Sequence, residues 1–169
     1  PLDDVSLEIG RIASFPPGWL ENESIWLHME YKYLHALLES KQYELFLEGF
    51  NTMLIPNLSL EMYKRSTLEN SSFLISSAAK DQASHGRGYQ ARLTGSTAEF
   101  ISIWHHMLFG NRPFHVEKGQ LTLQFEPFLP DYLFTSNGTL TSVFLGKTEV
   151  VYHLSDLKCL IPGRYAIEK

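Results

Sequence analysis

The chain has 169 residues, 44% of them apolar, enough for a core in one ordinary domain or in a helical part joined to a small β part. Its net charge of -5, with acidic and basic residues interspersed and no Lys/Arg block, argues against a nucleic-acid or anionic-membrane surface, so any anion site has to be local. No apolar run approaches membrane-spanning length and the first residues lack the build of a signal peptide, so a soluble cytoplasmic globule is expected.

Residues 1–20 mix short apolar patches with Pro16-Pro17-Gly18, a helix-breaking entry loop. Over 24–38 the residues Ile25, Trp26, Met29, Tyr33, Leu34, Leu37 and Leu38 recur at helical intervals, with Asn22 or Ser24 placed to cap. Ser40 is expected to cap a second helix through 52, built on Tyr43, Leu45, Phe46, Leu47 and Phe50, so the two form an α-hairpin. Pro56 and Asn57 close the pair, and 58–90 reads as loop with one short helix or strand. A third helix is predicted over 96–109, burying Phe100, Ile101, Ile103, Trp104, Met107 and Leu108, with Gly110 as its left-handed stop. Beyond Pro113 the pattern turns to period two at 121–125, 132–134, 140–144 and 150–153, with Asn137-Gly138 and Gly146-Lys147 as turns. The fold class predicted is mainly α with a β part: helices over about 1–112 and an antiparallel β segment over 113–169.

Chemistry concentrates in two polar features. The basic, glycine-containing run His85-Gly86-Arg87-Gly88 leads toward Thr94-Gly95-Ser96-Thr97-Ala98-Glu99, where a helix begins. Amides at a helix start have no intrahelical partner and the aligned peptide dipoles make that end partly positive, so phosphate is the natural guest. The same residues also suit a tight surface turn, and Ser96 with Glu99 spells a capping box in which Glu99 itself fills the helix end. The second feature is the helix face carrying His28, Lys32 and His35, which is either a solvated side or, at His28, the wall of a pocket. None of the seven histidines falls into His-Glu-x-x-His or a Cys/His cluster, so no metal is expected, and no nucleophile elbow of the Gly-x-Ser-x-Gly type is present. Cys159, the single cysteine, reads as a buried small hydrophobe.

Three blocks then occur in a telling order: Phe15-Pro16-Pro17-Gly18-Trp19-Leu20-Glu21-Asn22 followed by Ile25-Trp26-Leu27-His28; His85-Gly86-Arg87-Gly88 through Leu93-Thr94-Gly95-Ser96; and Asn111-Arg112-Pro113 leading into Leu121 through Pro130. Together, over roughly residues 9 to 135, they resemble the C-terminal third of cellobiose phosphorylase and its relatives in glycoside hydrolase family 94. The resemblance implies the closing helices of an α/α barrel followed by a small β-sandwich segment. It also implies an activity: inverting cleavage of a β-linked disaccharide or oligosaccharide by inorganic phosphate, giving a sugar 1-phosphate, with one carboxylic acid protonating the leaving oxygen.

By the same resemblance phosphate contacts fall on His28, Thr94 and Gly95, and sugar contacts on Glu21 and Phe15. The general acid belongs to a part of the barrel upstream of these blocks, so no catalytic residue is assigned here, and a fragment inactive alone is expected. Inorganic phosphate is a co-substrate rather than a cofactor, and a homodimer of the full-length parent is a further option. Starting at Pro1 rather than Met fits a processed or excised piece. Glu23-Ser24 stands where the family has Gly-Gly, Leu20 replaces a basic residue, and Ile75 replaces a sugar-contacting Gln, so cellobiose itself is not carried over. The alternatives are a noncatalytic carbohydrate-binding or structural module, or part of a glycoside hydrolase on the same barrel.

Overall fold

A computed structural model describes residues 6–69, 71–91, 94–154 and 159–165, with the backbone alone at 7, 13, 91 and 94. The chain is mixed α/β: among the described residues there are four α-helices, and every paired strand is antiparallel. It divides into two compact units, Pro1–Ile103 and Trp104–Lys169.

In the first unit, a 3-10 segment, Leu7–Ser14, kinked at Gly10, precedes the Pro16-Pro17-Gly18 loop. That loop closes on itself through a Trp19/Asn22 bridge, with the Gly18 amide donating to the Asn22 carbonyl at 2.7 Å. A two-residue strand, β1 (Ile25–Trp26), leads into α1 (Leu27–Glu39). Ile25 and Trp26 are therefore extended, not helical, and neither Asn22 nor Ser24 caps α1: Trp26 occupies the cap position without a side-chain bond. The buried stripe of α1 is Leu27, Tyr31, Leu34 and Leu38, whereas Met29 and Tyr33, expected inside, are more than half exposed. The helix starts three residues later than predicted, and its phase is set by Leu27 rather than by the extended Ile25 and Trp26.

Ser40 also takes a different role, closing α1 instead of opening the next helix. Its amide donates to the Ala36 carbonyl at 2.9 Å, Lys41 turns left-handed (φ 61°), and the Gln42 amide reaches back to the Leu37 carbonyl at 2.9 Å. The second helix, α2 (Tyr43–Met53), buries Phe46, Gly49 and Phe50, and a Cβ on Gly49 would collide with Leu34 Cδ2. The Leu34 side chain of α1 thus rests directly on the α2 backbone.

Residues 58–90 hold more order than expected. Ser59 caps α3 (Leu60–Tyr63) by accepting from the Glu61 and Met62 amides, and two strands follow, β2 (Ser71–Leu74) and β3 (Gly88–Ala91). With β2 at its centre, the sheet runs β1-β2-β3, pairing Trp26 with Phe73 and Phe73 with Tyr89. This sheet lies within 1–112, the part read as barrel helices, and two of its strands fall in or at the end of the 58–90 stretch read as loop with one short helix or strand. Trp19, Trp26 and Tyr89 ring Phe73 with centroid distances of 5.1, 5.9 and 5.9 Å. Such packing supplies the apolar burial and aromatic contact that stabilise so short a sheet.

The long helix α4 (Thr94–Phe109) begins in this unit and ends in the second. Ser96 is fully buried inside its first turn and Ile101 is 61% exposed, so Ser96 is not the cap and Ile101 is not core. Gly110 (φ 89°) stops the helix as expected. In the second unit the final carbonyls of α4 are satisfied by loop and strand donors: Phe128 N–H to Met107 O, Tyr152 Oη to Leu108 O, and Glu126 N–H to Phe109 O.

Two hairpins carry the rest of this unit. The first pairs β4 (Phe114–Glu117) with β5 (Gln120–Leu123) across a Lys118-Gly119 turn whose residues both have positive φ. Two further short strands, β6 (Leu129–Pro130) and β9 (Cys159–Leu160), pair with each other. The longer hairpin is β7 (Thr139–Phe144) with β8 (Thr148–His153), turning at Leu145-Gly146. Residues Asp131–Leu133 form a 3-10 turn where a strand was predicted. Phe144 gathers Phe109, Phe125 and Phe114 at 4.8, 4.9 and 5.7 Å.

Cys159 is half-buried rather than fully buried, and burial, aided by the Asp131 carboxylate, pushes its thiol up to about 11. At about pH 8 roughly one thiol in a thousand is then ionised, so labelling by a thiol-disulfide reagent is expected to be at least about tenfold slower in the native protein than in urea. Equal rates would show that the thiol is not protected.

Candidate anion site between the first and fourth helices

His28, Lys32 and His35 share one face of α1 because they are spaced by four and three residues. That face meets the first turns of α4. The His28 ring lies directly over Gly95: a Cβ at that position would come within 2.7 Å of both ring carbons Cγ and Cε1. Only a residue without a side chain lets the imidazole rest so close to the helix start. Glu99, one turn further along α4, turns its carboxylate into the group. Its Oε1 lies 3.2 Å from Lys32 Nζ and 3.7 Å from His28 Nε2, and its Oε2 lies 3.7 Å from His35 Nδ1. Glu99 is 18% exposed while the Lys32 side chain is 52% exposed, so the carboxylate sits at the floor and the ammonium at the open side.

Two predicted phosphate contacts, His28 and Gly95, are therefore neighbours in space. Thr94 opens α4, but its side chain lies outside the described residues, as do Arg92 and Leu93 entirely. The His85–Gly88 run does not feed the helix directly, because β3 intervenes and Gly86 instead hydrogen-bonds with Ile75 (N–H to O, 2.8 Å). His85 Nε2 is 2.8 Å from the Ala79 carbonyl, and the Arg87 guanidinium stands 5.4 Å over the Tyr89 ring. Those two basic side chains are engaged in holding the loop.

Glu21 and Phe15 form a second grouping, tied by Arg11. Arg11 Nε donates to Glu21 Oε1 at 3.0 Å, its guanidinium lies 5.6 Å over the Phe15 ring, and Asn22 Nδ2 donates to the Phe15 carbonyl at 2.7 Å. The Arg11 hydrogen bond holds the Glu21 carboxyl below the ordinary carboxylate range. Glu21 Oε2 and Asn22 Oδ1 are buried acceptors with no hydrogen-bond partner among the described residues. An unmet buried acceptor costs free energy until a donor arrives. Beside this loop a cavity of about 360 Å³ opens between Pro16, Pro17, Trp19, Ile75 and Ala79, with Lys80, Asp81 and Ser84 also lining it. Ile75 faces that cavity, at the position where the resemblance expects a polar sugar contact.

No protein-family model and no curated protein matches this chain.

Among the described residues no group of three or more His, Cys, Asp or Glu is placed to hold a metal ion, and no helix is long and apolar enough to cross a membrane. Three members of the cluster, Lys32, His35 and Glu99, were not among the predicted site residues. The sequence shows the His28/Lys32/His35 stripe, whereas the capping-box spacing of Ser96 and Glu99 gives no sign that Glu99 faces it. Glu30 carries no motif signal in the sequence; its Oε2 is buried with no hydrogen-bond partner among the described residues, and burial pushes its carboxyl up to about 7.

Proposed function

We infer that this chain is the phosphate-holding, C-terminal part of an inverting disaccharide phosphorylase of the cellobiose phosphorylase type, with an α/α barrel as the parent architecture. The observation that carries the reading is the His28 imidazole seated on Gly95 at the start of α4. An imidazole N–H and amides at a helix start are two independent kinds of oxyanion donor, and here they share one place. Phosphate held there attacks the anomeric carbon of a β-linked sugar from the face opposite the leaving oxygen, while an acid from outside these blocks protonates that oxygen.

Other features are consistent with the reading. Glu23 has φ 63°, a left-handed backbone that favours glycine, at a position where the family carries Gly. The unpartnered acceptors Glu21 Oε2 and Asn22 Oδ1 suit hydroxyl donors, which sugars supply in abundance. One observation favours the second reading, a noncatalytic module: Glu99 already ion-pairs Lys32, so the cluster is also a complete structural network.

Phosphate titration of the whole chain, followed through the His28 ring and the Gly95 amide by NMR, separates the two. Phosphate is expected to shift both signals together, and His28→Ala is expected to weaken binding about tenfold, the loss of one charge-assisted hydrogen bond of about 1.5 kcal/mol. Unmoved His28 and Gly95 signals at saturating phosphate would leave the noncatalytic module.

A further inference from the structure

A carboxylate inside an oxyanion site is a physical contradiction unless the guest brings a proton to it. Glu99 Oε1 is 3.7 Å from His28 Nε2, so an oxyanion accepting from that nitrogen has the carboxylate as an immediate neighbour. Glu99 is little exposed, and screening between the two negative groups is correspondingly weak. Three basic side chains of α1 surround Glu99: His28 and Lys32 at Oε1, His35 at Oε2, with Gly95 of α4 beneath the His28 ring. Lys32 and Glu99 cancel in charge, so an ion with no proton of its own gains no net fixed cation from that pair and has no donor to offer the carboxylate.

We propose that Glu99 is the specificity-determining residue of this site, accepting a hydrogen bond from a P–OH group and so selecting a protonated oxyanion, hydrogen phosphate, over a fully ionised one such as sulfate. The proposal rests on the phosphate reading above and adds to it the discriminating group. The chemistry is that of donor and acceptor counting. Phosphate retains at least one proton at neutral pH and can donate to Glu99 while accepting from the imidazole and the amides. Sulfate is of nearly the same size and shape but carries no proton there, so it can only accept, and it leaves the carboxylate facing another anion. Lys32 holds the Glu99 carboxylate in place at 3.2 Å, which keeps it from swinging clear to admit sulfate.

The test is calorimetric titration of the whole chain with inorganic phosphate and with sulfate at neutral pH and constant ionic strength, for the natural protein and for Glu99→Gln, with the fold of each checked by circular dichroism. The natural protein is expected to favour phosphate over sulfate by about tenfold to a hundredfold, the worth of a charge-assisted hydrogen bond made against one replaced by repulsion. In Glu99→Gln, whose amide can donate as well as accept, sulfate affinity is expected to rise until the two anions bind within about threefold of each other. Equal binding of both anions by the natural protein, or undiminished discrimination in Glu99→Gln, overturns the role of Glu99 while the phosphate site stands. If neither anion binds the natural protein, the phosphate reading falls and this proposal falls with it. Should Glu99→Gln not fold, Lys32→Gln in its place reads the same property: removing the cation that anchors Glu99 is expected to lower the phosphate-to-sulfate ratio, and an unchanged ratio overturns the proposal.

Discussion

Gly88→Ala is expected to destabilise the first unit by about 3 kcal/mol, the upper end of the cost of overpacking a filled core. A Cβ at this residue of β3 would fall 2.6 Å from Ser71 Oγ and 2.8 Å from Tyr63 Cδ2. Neither neighbour can retreat. Tyr63 is fully buried, and its hydroxyl lies 2.6 Å from both the Glu69 carbonyl and Ser71 Oγ, so moving the ring breaks one buried and one part-buried hydrogen bond. Thermal melting followed by circular dichroism checks the loss. A fall of roughly 10 to 20 °C is expected for a loss of this size in a unit of about 100 residues; a fall of only one or two degrees would mean that the ring has room to move.

The second large effect comes from Glu30 and depends on pH. Its carboxyl is pushed up to about 7 in the folded chain from an ordinary 4.5, through burial. The folded state therefore holds the proton more tightly than the unfolded chain does. The favourable contribution is fully present below the unfolded value of 4.5 and is lost as pH rises through 7. The difference of 2.5 units, 7 less 4.5, corresponds to about 3 kcal/mol. Glu30→Gln keeps the shape and removes the ionisation. The variant and the natural protein are expected to unfold at similar urea concentrations near pH 4, with the variant more stable by up to about 3 kcal/mol near pH 8. A constant difference across that range would show that Glu30 ionises in the folded chain as it does in water.

Several elements could be read from the residues because their causes are local. Gly110 ends α4 through its own positive φ, and the β7/β8 hairpin follows from alternation on either side of a glycine turn. The short strands were hidden for a physical reason. Ser71 and Ser72 look like loop residues, yet they are buried at the centre of a sheet because the Tyr63 hydroxyl and the Gln90 carbonyl bond their side chains. A polar residue reads as exposed until the partner that satisfies it is known, and those partners lie 8 and 18 residues away. The phase of α1 has the same kind of cause, since a residue's neighbours across the core, not its own hydropathy, turn Tyr31 inward and Tyr33 outward.

At the candidate site the same division holds. His28, Lys32 and His35 lie on one face by helical spacing alone, and Gly95 stands at a helix start by virtue of its place in the chain. What their order could not supply was the distance between α1 and α4. Folding closes it, bringing Glu99 within 4 Å of three basic groups more than 60 residues away along the chain. Covalent spacing governs which groups ride on one helix, because backbone hydrogen bonds repeat every few residues. Which helices face each other depends on the sum of many weak apolar contacts, and Coulomb forces between side chains become decisive only after that packing has removed the water between them.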